Sequence, residues 1–364
     1  MLSGIVVHSV EEIVGKQWSE KHGSRDITNV SAAIDTLALE VVCQAAFGMN
    51  SVSTILLNYK SIMNASLLKM IGLGRFGGNR ILVRASAAID KVVQEVLQNR
   101  PQNLASPEHP AGSLIDLLLS SNMPGDAASD QELDPALSTS ASSVHMALSD
   151  REIIDNIKIF MFAGHDTSTT TMIWVLFMLA LHPQAESRVL AEITTSLQGR
   201  TMRELPAHEL SWKFFPYLHC VVQETLRLFP PAWTINRSPK YPISLGGFTV
   251  PAGMTIMINT LRLHRREDLG WQHPTEFIPE RWEVREPHHA KSAFCYLPFG
   301  GGPRSCVGQN LAELEILVAT CAVLTRYQPI WLGKSSSPQI NFFAGSTIRP
   351  KDIGSLRLRP RLLI

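Results

Sequence analysis

The chain lacks a charge excess. Its 33 lysines and arginines stand against 32 aspartates and glutamates in 364 residues, a formal balance of +1. Nucleic-acid surfaces are built on basic excess, so no nucleic-acid partner is expected. Cysteine is scarce as well. The five present (Cys43, Cys220, Cys295, Cys306, Cys321) are odd in number, far apart and without a Cys-x-x-Cys pair. That argues against a disulfide framework and for a reducing compartment. The twelve histidines show no zinc spacing, and His288-His289 reads as a solvated loop pair. No apolar run reaches the roughly 20 residues that span a bilayer; the longest uncharged one is Thr167 to Leu181. Read as written, the chain shows no leader and no anchor. Its apolar start from Met1 to Val7 is short, and Glu11 and Glu12 soon follow. No flavin or iron–sulfur motif is present, so any electrons for redox chemistry would come from elsewhere.

What is there is long enough to bury a sizeable core as one domain over 1–364. Residues up to about Gln98 read as helices, with Ala33 to Phe47 apolar on most faces and Gly48 as its stop. Pro101 to Val144 is rich in Pro, Ser, Gly and Ala. A helical run at Ser113 to Leu119 interrupts it, and 120–144 reads as a long flexible surface loop or a disordered insert. Ser149-Asp150-Arg151-Glu152 is a capping box that opens a helix running to about Leu181. Pro183 suits the first turn of the next helix, and Pro216 to Phe229 forms another. Short strands follow. Ile243 to Val250 is a hairpin on Gly246-Gly247, Pro251-Ala252-Gly253 turns the chain into Met254 to Ile258, and Ser355 to Arg359 alternates like an exposed strand.

The chemistry concentrates at Phe299-Gly300-Gly301-Gly302-Pro303-Arg304-Ser305-Cys306-Val307-Gly308. Glycines there let backbone amides approach the sulfur, since no Cβ intervenes. Arg304 and the start of the helix from Gln309 to Thr325 add positive potential, the surroundings of a metal-binding thiolate. Such a sulfur suits a soft or redox-active metal, with haem iron first. Within the long helix lies Ala163-Gly164-His165-Asp166-Thr167-Ser168. Gly164 is a poor interior helix residue, and Ser and Thr can bond back to the preceding turn, which together predict a kink that makes room for a ligand. His165 reads as packing. Glu224 and Arg227 share one helix face at i, i+3.

Phe299, Gly302, Arg304, Cys306 and Gly308 resemble in spacing the haem loop of the cytochrome P-450 family. Ala163 to Ser168 is similar to its oxygen-activation motif, Glu224-Thr225-Leu226-Arg227 to its ExxR, and Pro274-Thr275-Glu276-Phe277-Ile278-Pro279-Glu280-Arg281-Trp282 to the element that completes the ExxR network. The resemblance implies a mainly α fold with a small β region and a haem-thiolate monooxygenase. Its cofactor would be haem (heme, iron protoporphyrin IX) with Cys306 as axial ligand. Asp166 and Thr167 would pass protons to the oxygen being activated. Arg237 would pair with a haem propionate, as would His264-Arg265, and Phe299 would shield the sulfur. Arg281 would join Glu224 and Arg227 in a buried network that fixes the cysteine loop. Ala232 to Ile235, the region of Phe160 and Ala163, and Ala344 to Thr347 would face a hydrophobic substrate. Electrons would come from an NADPH-dependent reductase or a ferredoxin-type donor, with Arg304 and Lys291 on the docking face. An isomerase or dehydratase is the second reading, which the Asp166-Thr167 pair disfavours; a non-catalytic fragment is the third.

The chain departs from the family at its start. The family's Trp-x-x-x-Arg helix has no match, since Trp18 is followed at the arginine position by His22. The resemblance therefore implies a chain incomplete at its N-terminus, lacking helices and the first sheet strands of the fold. Membrane association would then reside in an anchor outside this sequence, on the endoplasmic reticulum for a eukaryotic protein, with a cytoplasmic location otherwise.

Overall fold

The computed structural model describes residues 2–48, 78–98, 148–283, 292–333 and 340–361. The expected 120–144 segment, the short helix at 113–119, His288-His289 and Lys291 lie outside them. Two compact units emerge, one of Met1–Val41 with Gly164–Ile364 and one of Val42–Ala163.

The larger unit opens with α1 (Leu2–Val10), which continues through a π-helical stretch (Glu11–Gln17) into α2 (Trp18–His22). Trp18 is buried edge-on against Tyr327, with ring centroids 5.8 Å apart, so it belongs to the core. Helix α3 (Val30–Phe47), whose residues from Val42 on are counted in the smaller unit, stops at Gly48, whose φ of +64° closes the helix as its amide donates to Gln44 O at 3.0 Å. By length and hydropathy α3 matches a membrane span, a feature masked in the sequence by Asp35 and Glu40. Yet 61% of it is buried within the protein, the pattern of a core helix.

The smaller unit contains α4 (Gly78–Gln98) and the first half of α5 (Asp150–Leu181). The capping box forms as expected, with Ser149 N and Oγ both donating to Glu152 Oε2 at 2.8 and 2.7 Å. Asp90 on α4 accepts from Arg151 and Lys158 on α5 at 3.1 and 2.7 Å. Helix α5 passes unbroken through Gly164; the kink expected there produces no interruption, and Thr171 Oγ1 bonds back to Thr167 O at 3.0 Å.

Beyond α5 the chain builds the scaffold of the site. Helices α6 (Pro183–Leu197) and α7 (Pro216–Leu228) both carry proline in the first turn, where its missing N–H costs nothing. Glu192 of α6 accepts from the Tyr217 and Leu218 amides at 2.7 and 2.9 Å, capping α7. Strand β1 (Thr234–Arg237) pairs antiparallel with β4 (Ile256–Asn259), while β2 (Ile243–Leu245) and β3 (Phe248–Val250) form the expected hairpin. Its Gly246 and Gly247 sit at φ +58° and +83°, the two positive values that a tight hairpin turn demands. After the short α8 (Thr260–Leu263), α9 (Gln309–Arg326) is the central helix, buried without a break from Glu315 to Leu324 and packed on α1, α6 and β5 (Tyr327–Trp331). Strands β6 (Phe342–Ala344) and β7 (Ile348–Pro350) form a hairpin, and β8 (Leu356–Pro360) pairs with β5 and bridges Ile27. The tail is not an exposed strand. Leu356 and Leu358 are fully buried, so its alternation marks one core face and one wet face.

Candidate functional site

The site is assembled from a buried ionic cluster outward. Glu224 is shut from solvent between two guanidinium groups, with Oε1 accepting from Arg227 Nη2 at 2.8 Å and Arg281 Nε at 3.0 Å. Its Oε2 accepts from Arg227 Nε at 2.8 Å and Trp282 Nε1 at 2.9 Å, and the Ile278 amide adds a fifth bond at 2.9 Å. Arg227 spends its other donors on the carbonyls of His264, Pro274 and Glu276 at 3.0, 2.7 and 3.0 Å. A buried charge is tolerated on such terms, paired and saturated with hydrogen bonds. The three residues foreseen as a network are therefore together.

This cluster reaches the cysteine loop through a residue whose task had been read otherwise. His264 does not face the cavity. It is fully buried, and its Nε2 accepts the Leu297 amide at 2.8 Å while its carbonyl takes Arg227. Burial pushes its pKa down to about 4, so the ring stays a neutral acceptor. Arg265 likewise turns inward, donating to Leu228 O and lying 5.3 Å over the Phe229 ring. Burial and the nearby Arg227 bring its pKa down to about 10. Neither residue lines the cavity, so the propionate reading of this pair is withdrawn. No sequence pattern separates a histidine that hydrogen-bonds a loop from one that meets a ligand.

From Leu297 the loop folds on itself. Gly300 and Gly302 take φ of +74° and +70°, a region that a side chain resists. The Cys306 amide donates to Phe299 O at 2.8 Å, and the Gly308 carbonyl accepts from Ala312 as α9 begins. A Cβ added at Gly302 or Gly308 would meet nothing within 4 Å. The Cys306 side chain is exposed.

A cavity of about 350 Å³ opens over this loop. Cys306, Arg304 and Phe299 line it from the loop, Thr167, Ser168 and Thr171 from α5, and Arg237 from β1. Leu226, Ala232, Ile235 and Ile316 supply apolar wall. Gly308 lies off the cavity and serves as the turn into α9. Arg237 donates to the neighbouring Asn236 O at 2.9 Å and meets no carboxylate, and Arg304 has no ion pair among the described residues. A sulfur donor, two uncompensated cations and an apolar wall fit a flat apolar group that carries a metal and peripheral acids. The residues present therefore fit haem.

Asp166 is placed differently from its neighbour. Its Oδ1 takes Arg349 Nη2 at 2.8 Å and its Oδ2 takes Ser346 Oγ at 3.1 Å, and it does not line the cavity. The same helix face continues the attachment, since Thr170 bonds Thr347 at 3.0 Å and Trp174 Nε1 bonds Ile348 O at 2.8 Å. Residues 346–349 are thus fastened to α5, and Ala344 to Thr347 do not line the cavity. Ala232, Thr234 and Ile235 do. Phe160 and Ala163 belong to the smaller unit. His165 is buried with Nε2 3.0 Å from Asp35 O, as its packing role requires.

Comparison with known proteins agrees with this geometry. The family model described as Cytochrome P450 matches residues 5–354. The chain is 34% identical over 257 residues to cyclooctat-9-en-7-ol 5-monooxygenase of Streptomyces melanosporofaciens, covering 70% of this chain and 49% of that protein. It is 28% identical over 346 residues to cytochrome P450 4X1 of Rattus norvegicus, covering 89% of this chain and 63% of the relative. The chain spans about half the length of most of the curated relatives it matches, such as 42% of cytochrome P450 3A12 of Canis lupus familiaris. Among solved structures, the retinoic acid-bound cyanobacterial CYP120A1 superposes with a TM-score of 0.77 at 23% identity, over 100% of this chain and 75% of that one.

Proposed function

The chain belongs to the cytochrome P450 family, whose members carry haem on a cysteine thiolate, and on that footing we propose that it serves as a haem-thiolate monooxygenase. The observation that carries the reading is the convergence of Cys306, Arg237 and Arg304 on one cavity bounded by Thr167 and Ser168. When bound, the haem would supply dioxygen activation, with the sulfur donating electron density to favour O–O cleavage. Cys306 would hold the metal, and Arg237 and Arg304 would hold the propionates. Thr167, which lines the cavity, would hold a proton on its hydroxyl where oxygen is activated. Asp166 would join that transfer only when its carboxylate leaves Arg349 and Ser346. The apolar wall at Leu226, Ala232 and Ile235 suits a hydrophobic substrate, in keeping with a relative named for oxidation of an alkenol. Electrons would come from a separate reductase or ferredoxin-type donor.

The test is turnover under isotopically labelled dioxygen with NADPH and a flavoprotein reductase, on a panel of apolar substrates. One labelled oxygen atom in the product supports the reading. Turnover that persists without dioxygen or NADPH overturns it in favour of an isomerase or dehydratase.

A further inference from the structure

A second cavity, of about 240 Å³, shares Leu226, Pro298, Phe299, Gly300 and Ile316 with the first but is not lined by Cys306. Its other walls come from α7, α9, Trp212 and Tyr296. His219 of α7 stacks on Trp212, with ring centroids 4.8 Å apart and planes 11° from parallel. Glu313 of α9 binds the same indole, accepting Trp212 Nε1 at 3.3 Å, and accepts Gln309 Nε2 at 2.8 Å. Packing alone would be met by any flat apolar ring at 219. The structure holds instead an imidazole, a carboxylate and an indole together against the backbone that receives the Cys306 amide.

We infer that His219, supported by Glu313 and Trp212, is a proton-linked positioning residue that favours electron uptake at the Cys306 centre. The inference rests on the proposed haem-thiolate reading. Reduction takes one electron from the donor and lowers the charge of the metal centre by one unit. A hydronium ion from solvent then protonates an imidazole nitrogen of His219, its O–H bond breaking to leave water as the N–H bond forms. Positive charge on this side of the loop stabilises the reduced state, and by reciprocity reduction raises the affinity of His219 for its proton. An imidazolium stacked on Trp212 gains cation–π attraction, and the Glu313 carboxylate attracts it further. Of the side chains lining this cavity, the other titratable one is Tyr296, whose hydroxyl burial keeps neutral. Burial pulls the pKa of His219 below its ordinary value, and Glu313 opposes that pull. The change therefore falls on the acid side of neutrality.

The test is a dithionite titration of the hemin-loaded chain between about pH 5 and pH 8, for the wild type, His219→Phe and Glu313→Gln. The wild-type midpoint potential should rise on acidification, and His219→Phe should lose that slope. In Glu313→Gln the rise should move to lower pH. An NMR titration of the His219 ring in the hemin-free chain should show the same displacement without any redox step. His219→Gln, which keeps polarity but cannot titrate, should behave as His219→Phe does. A potential whose pH slope survives both His219 substitutions overturns the inference while leaving the haem reading intact. A wild-type chain that binds no hemin overturns both.

Discussion

Four arginines in the larger unit divide into two pairs with opposite fates. Arg227 and Arg281 are buried around Glu224, and every donor of Arg227 meets an oxygen within the protein. Arg237 and Arg304 are exposed at the cavity and meet no carboxylate among the described residues. Both pairs carry the same charge, so the difference lies in who supplies the counter-charge. Where the chain supplies it, the cluster is a rigid frame. Where it does not, the charge is left for a ligand that brings its own. His264 joins the two regions, anchored to Arg227 by its carbonyl and holding the Leu297 amide by its ring.

The comparison breaks first at Glu224. Glu224→Ala strands two buried guanidinium groups and should cost about 3–5 kcal/mol, read as a drop in the denaturant midpoint at constant slope. A loss below about 1 kcal/mol would place the frame elsewhere.

Glu315 sharpens the contrast from the other side, as a buried carboxyl on α9 without such saturation. Its Oε1 finds no partner among the described residues, and burial pushes its pKa up to about 8. A folded pKa above the unfolded one means that the native chain binds the extra proton, so this group's contribution to stability falls as pH rises from about 4.5 to about 8. Glu315→Gln should therefore match the wild type below that window and exceed it increasingly up to its top. Parallel stability–pH curves for the two proteins would contradict the assignment.

Smaller effects belong to the open pair. Arg237→Gln and Arg304→Gln should each weaken hemin binding about fivefold, roughly 1 kcal/mol, with unchanged melting temperature. Equal hemin affinity in the double variant would show that these cations serve no propionate.

How much of this was legible beforehand follows the range of the interactions. The capping box at Ser149, the Gly246-Gly247 turn and the glycine loop around Cys306 are local, and each appears where its residues stand. The Glu224–Arg227 pair is local too, and Arg281 was placed with it only through a family resemblance. What stayed hidden depends on distant chain. Asp166 meets Arg349, His264 meets Leu297, and Glu313 meets Trp212, which stacks on His219. None of these partners is marked by spacing. The tail strand departs from its expectation for a related reason, because Leu358 pairs with Ile27 from far along the chain.

The most direct measurement is the ferrous–carbon monoxide difference spectrum of the chain after reconstitution with hemin, beside Cys306→Ser. A sulfur ligand at position 306 predicts the red-shifted band in the wild type and its absence in the variant. The same band in both proteins, or in neither, would contradict it.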